Sequence, residues 1–163
     1  MKKKGISPYI STTLVILIGI VAIYLVLRVI SPTIDKAKDS AIVTEALQNM
    51  RLIDNYIKQV VSEGEDSKRT IPLKVTEGTY LVDPDCNCIN FSYTVKSELD
   101  IGGTKDNINI SRNMDNLNLF IIYDRVQIQN KDRFSRGENS VVIRNDGINT
   151  STNYSIVYVG NLD

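Results

Sequence analysis

The chain has 163 residues, 42% hydrophobic and 23% charged, with 19 basic side chains against 19 acidic and neither histidine nor tryptophan. Lacking histidine, it excludes Ser-His-Asp and Cys-His catalysis, His-ligated zinc and imidazole acid–base chemistry; carboxylate-only or lysine-based catalysis stays open, but no spacing argues for it, and no enzyme, metal or cofactor is expected. The balanced charge lacks the concentrated basic face of a nucleic-acid binder.

Ile6 to Leu27 is a run of 22 residues without a charged side chain, 13 of them Ile, Leu or Val. As a helix it spans roughly 33 Å, about the hydrocarbon thickness of a bilayer. On an insertion scale those aliphatic residues favour the membrane by roughly 4–8 kcal/mol. Lys2, Lys3 and Lys4 precede it and Arg28 follows. Positive flanks stay cytoplasmic, so three lysines against one arginine send the C-terminal part outward. The run exceeds the ~7–15 apolar residues of a secretory signal peptide and has no A-x-A cleavage site. Tyr9 and Tyr24 bracket it, as interfacial anchors or as helix-packing residues.

The text Lys3-Lys4-Gly5-Ile6-Ser7-Pro8 ahead of this helix resembles the class III signal peptide of archaeal type IV pilin-like proteins. The resemblance covers about the first 30 residues. Bacterial pilins usually carry glutamate at the fifth mature position; Ile10 stands there, so the likeness is to the archaeal branch. It implies a prepilin peptidase that recognises Lys3 and Lys4 and cuts between Gly5 and Ile6. The mature chain would be slightly acidic, 16 basic against 19 acidic residues. It further implies a homo-oligomeric helical filament built through Ile10, Leu14, Leu17, Val21 and Leu25, a membrane platform, and a head exposed outside the cell, for adhesion among other uses. The chain carries no G-x-x-x-x-G-K-[ST], so an assembly ATPase would be a separate protein. The rival class is a single-pass anchored envelope protein that never polymerises, such as an archaellum-accessory or glycan-binding module.

Four segments follow: 1–5 as signal peptide, 6–30 as transmembrane and polymerisation helix, 31–64 as amphipathic stem and 65–163 as extracellular head. Pro32 lacks an N–H and predicts a kink or break near Val29 to Ser31. In the stem, Val43, Ala46, Met50, Ile53, Ile57 and Val60 recur at steps of three and four, an apolar stripe. Glu45, Gln48, Arg51, Asp54, Lys58 and Gln59 occupy the opposite face. The stripe packs either on the chain's own head or in a coiled-coil homodimer. Gly64 reads as the helix cap.

Beyond Ser67 the period falls to two. Thr70–Thr76 and Thr79–Val82 read as a hairpin around Glu77-Gly78. Further strands are expected at Ile89–Ser97, Asn107–Ser111, Leu117–Asn130 with a bulge or bend at Asp124-Arg125, Val141–Arg144 and Tyr154–Val159. The last two are joined by a turn at Asn145-Asp146-Gly147. The fold class is therefore α+β, a long apolar helix with an antiparallel sandwich or barrel-like head.

Asn90, Asn109, Asn149 and Asn153 each begin an N-x-S/T sequon, a candidate N-glycosylation site. Asn149 and Asn153, in a polar loop, are better candidates than Asn90 inside a strand. Cys86 and Cys88 are the only cysteines: two thiols, a small strained ring, or an intermolecular bridge remain open. Asp83-Pro84-Asp85-Cys86-Asn87 opens like a calcium loop, but Cys88 and Thr94 replace the required glycine and glutamate, so it reads as a turn.

Overall fold

The computed structural model describes residues 8–99 and 101–162; the expected peptidase determinants Lys3, Lys4, Gly5 and Ile6 lie outside them. One helix, α1 (Pro8–Glu63), is followed by strands β1 (Lys68–Val75), β2 (Thr79–Asp83), β3 (Cys88–Thr94), β4 (Gly103–Lys105), β5 (Ile108–Asn113), β6 (Asn116–Ile122), β7 (Val126–Ile128), β8 (Asp132–Phe134), β9 (Gly137–Asn149) and β10 (Tyr154–Asn161).

Of the kink or break expected near Val29 to Ser31, the break is absent: α1 runs through Pro32 as a single 56-residue helix. Proline removes one N–H and crowds one carbonyl, yet helix on both sides keeps propagating at one hydrogen bond per residue. Ser31 supports the turn, its Oγ donating to the Leu27 carbonyl at 2.9 Å. Gly64 terminates the helix with φ +96°. Ser67 Oγ then donates to the carbonyls of Val60 and Gly64 at 2.6 and 2.7 Å, closing the helix end.

The strands form two sheets, β1-β9-β10-β7 and β4-β5-β6-β3-β2-β8. Neighbours are antiparallel except for β7 and β10, which run parallel. The sheets are separate, so the head is sandwich-like and not a closed barrel. The stripe residues of α1 supply part of the core between them: Val43, Ala46, Met50, Ile53, Ile57 and Val60 are all buried. They join one cluster with Ile71, Leu73, Tyr80, Phe91, Leu119, Phe134 and Ile143, drawn from both sheets. The stripe is thus occupied by the chain's own head, which leaves none of it for a coiled-coil partner.

Three local expectations are corrected. β1 and β2 do not form a hairpin: β1 pairs with β9 and β2 with β3 and β8, so Glu77-Gly78 carries the chain from one sheet to the other. Asp124-Arg125 is likewise a crossover between sheets, from β6 to β7. Asn145-Asp146-Gly147 lies inside β9. Asn145 faces Val157 and Ile148 faces Ser155, so two β9 residues oppose Ile156 alone in a β-bulge, with Gly147 at φ +110°. The bulge has a purpose in the packing. Asn145 is buried, its backbone pairs with Asp66 and Ser67, and its Nδ2 donates to the Val60 carbonyl at 3.3 Å. The end of the helix is tied to the sheet there.

Candidate functional site: a bare apolar helix clamped to the head

The apolar side chains at the start of α1 stand exposed, away from the head. Ile10, Leu14, Leu17, Val21 and Leu25 are each 50–61% exposed, and Tyr9 reaches 84%. Val15, Ile16, Ile18, Ile20, Ile23, Tyr24, Val26 and Leu27 are exposed as well, so the apolar surface runs around the whole circumference. Each such side chain stands to gain about 1.5–3 kcal/mol on full burial. An uncovered apolar surface of this extent marks an interaction or membrane site. The helix is long and apolar enough to cross a membrane. Thr13 turns back to the backbone, its Oγ1 donating to the Tyr9 carbonyl at 2.8 Å. Such internal pairing keeps polar hydrogens from facing lipid.

Where the bare segment meets the head, a clamp holds it. Asp39 is 1% exposed. Its Oδ1 accepts from the Tyr93 hydroxyl at 2.6 Å, and its Oδ2 accepts from Lys96 N at 2.9 Å, Ser97 N at 2.8 Å and Ser97 Oγ at 2.7 Å. Burial alone would raise the carboxyl pKa, but the hydrogen bonds from Tyr93, Ser97 and Lys96 outweigh it and hold it below the usual carboxylate value. Burial, and then the hydrogen bond to Asp39 and its charge, push the Tyr93 hydroxyl well up. Nearby, Glu45 accepts from Thr76 N and Oγ1 at 2.8 and 2.6 Å, and Asn49 Nδ2 donates to the Lys74 carbonyl at 2.8 Å. Lys38 pairs with Glu77 at 2.6 Å.

Asp54, expected on the solvent face, is 6% exposed. Its Oδ2 pairs with Lys58 at 2.6 Å. Tyr123 lies close by, its hydroxyl pKa driven well up by burial and then by the Asp54 charge. The sequence held a signal for Asp39 that pattern reading passed over. Asp39, Val43, Ala46 and Met50 follow the four-three-four step of the buried stripe, so the aspartate sits where an apolar residue belongs.

The sequons fall at unequal depths. Asn153 is exposed at the β9–β10 turn with φ +57°. Asn149 is half-buried, its Nδ2 donating to Gln127 Oε1 at 2.8 Å and its Oδ1 accepting from Ser151 N at 2.9 Å. Asn109 is half-buried in β5 and accepts from Thr104 Oγ1 at 2.8 Å. Asn90 is half-buried in β3, its Oδ1 shut away from solvent. Cys86 and Cys88 are joined as a disulfide. In the Asp83 turn, Asp83 Oδ1 accepts from Asp85 N at 3.0 Å, and Lys131 lies 3.6 Å from Asp83. Among the described residues no three His, Cys, Asp or Glu side chains converge as metal ligands.

No protein-family model matches the chain, and neither a curated protein nor a solved structure is significantly similar to it.

Proposed function

We propose that the chain is a structural subunit of an archaeal type IV pilus-like surface filament. The observation that carries this reading is the bare helix: apolar on every side, uncovered from Tyr9 to Leu27, and continuous with a stem whose own stripe is already buried in the head. Such a rod is held by lipid before assembly and by identical rods afterwards, with the head outside. The Lys3-Lys4-Gly5-Ile6 text supports a prepilin peptidase as the first partner; a separate ATPase and membrane platform supply the work of extraction. The clamp at Asp39 fixes the head to the rod, so a head presented for adhesion moves with its helix.

Mass spectrometry of the native N-terminus tests this. A chain beginning at Ile6, found in purified surface filaments, is the expected result. A chain that keeps Lys2 to Gly5 in cells with active peptidase, with no filament containing it, overturns the proposal in favour of a permanent anchor. Gly5→Val is expected to abolish filaments containing this subunit; normal fibres in that variant also sink it.

A further inference from the structure

Asn87 stands between the two cysteines and binds far more of the head than a turn residue requires. Its backbone is left-handed, φ +50°. Its N–H donates to the Pro84 carbonyl at 3.2 Å, and its carbonyl accepts from Tyr123 N at 3.0 Å. The side chain completes the grip: Nδ2 donates to the carbonyls of Tyr123 and Val126, and Oδ1 accepts from Ile128 N at 2.8 Å. Tyr123 follows β6 in one sheet, and Val126 and Ile128 form β7 in the other. One side chain therefore closes the crossover at which the chain changes sheets.

We infer that the Cys86–Cys88 disulfide is a redox-sensitive latch that holds Asn87 in position to fasten the β6–β7 crossover. The ring encloses the peptide units on both sides of Asn87 and so restricts its backbone. Its loop is too short for the disulfide to act by constraining the rest of the unfolded chain. Asparagine tolerates the left-handed region better than most residues, and the ring removes the extended alternatives. Without the ring, Asn87 regains its freedom, and the hydrogen bonds at Tyr123, Val126 and Ile128 must be made against that added entropy.

The chemistry is ordinary thiol–disulfide exchange. Cys86 is exposed and Cys88 buried, so a dithiol attacks the Cys86 sulfur. The Sγ–Sγ bond breaks and its electron pair leaves with Cys88, which takes a proton. The second reductant thiol then displaces Cys86 as a thiol and leaves as the cyclic disulfide, so the protein gains two electrons and two protons. A small-molecule disulfide reverses the sequence and departs as two thiols. An oxidising exterior therefore latches the crossover and a reducing cytosol leaves it open, whether or not the chain polymerises.

The test is amide hydrogen exchange on the full chain in detergent micelles, oxidised and after treatment with dithiothreitol. Reduction is expected to speed exchange at Tyr123 and Ile128 by about tenfold or more while Leu119 and Ile143 in the sheet centres stay protected. Asn87→Ala, with its disulfide intact, is expected to release Ile128 without any reductant, and Asn87→Asp to release it as well, since a carboxylate oxygen would face the Tyr123 and Val126 carbonyls to which the amide donates. Equal protection in both redox states overturns the latch. So does uniform loss of protection across the head, which makes the disulfide a general staple, and so does alkylation of Cys86 without reductant, which shows that the ring does not form.

Discussion

The Tyr93 hydroxyl donates to Asp39 Oδ1 at 2.6 Å, joining residues 54 positions apart at the point where α1 leaves the head. Asp39 has its folded-state pKa below its unfolded value, so its stabilisation is complete above the ordinary carboxylate value of 3.8 and is lost as pH falls through the folded one. Tyr93 is shifted the other way, so its contribution is complete below its ordinary value of 10.0 and is lost as pH rises past it. A plot of melting temperature against pH should be a plateau that falls at both ends. Asp39→Asn should flatten the acid limb; an unchanged limb would remove Asp39 from the account.

Truncating the clamp separates its parts. Asp39→Ala leaves the Tyr93 and Ser97 hydroxyls and two backbone N–H groups without their acceptor and should cost about 3 kcal/mol in denaturant unfolding. Tyr93→Phe deletes one donor while the other three remain, and should cost about 1 kcal/mol.

The two halves of α1 should answer mutation differently. Met50→Ala and Ile57→Ala each empty space in the core and should lower head stability by about 2–5 kcal/mol. Leu14→Ala and Leu17→Ala touch no part of the head and should leave its unfolding free energy within about 0.5 kcal/mol of the parent, while weakening filament yield.

Gly78 should tolerate no side chain. It has φ +91°, and a Cβ built there would lie 2.5 Å from the Phe91 ring and 2.9 Å from the Ser92 carbonyl oxygen. Gly78→Ala should destabilise the head by about 2 kcal/mol or more, since backbone strain adds to the collision. Circular dichroism melts measure it directly.

Glycosylation, if the cell applies it, should follow depth. Glycopeptide mass spectrometry is expected to find Asn153 modified most, Asn149 next, and Asn90 not at all, because the last is held half-buried in β3 between β2 and β6. A glycan on Asn90 would mean that modification precedes folding.

The stem stripe was readable because a helix repeats its buried face every three or four residues, and each of its six apolar positions is buried. Strands β1, β2, β3, β5 and β10 were readable for the same reason, at period two, whereas β6 and β7 read as one stretch and only the middle of β9 stood out. Partners were not: Glu77-Gly78 has the composition of a hairpin turn, and only long-range pairing of β1 with β9 shows that it is a crossover. Asn145-Asp146-Gly147 misled through the same chemistry, since a bulge and a turn both need glycine at positive φ. The short strands β4 and β8 carry too few residues for a pattern, and Asp54 reads as solvent-facing because its charge masks its position. Of the candidate site, the bare helix was evident from composition alone. The clamp was not, because one acidic residue on an apolar stripe becomes meaningful only when its four donors are in view.

The unbroken passage through Pro32 has a mechanical consequence. Because the bare rod and the stem are one continuous helix, tension applied at the exposed end is carried along α1. It reaches a contact zone that begins at Asp39 and ends near Val60, about 30 Å further on at 1.5 Å per residue. A load in that direction shears many side chains together instead of peeling them one at a time, so the head is gripped most firmly against a pull along its own helix.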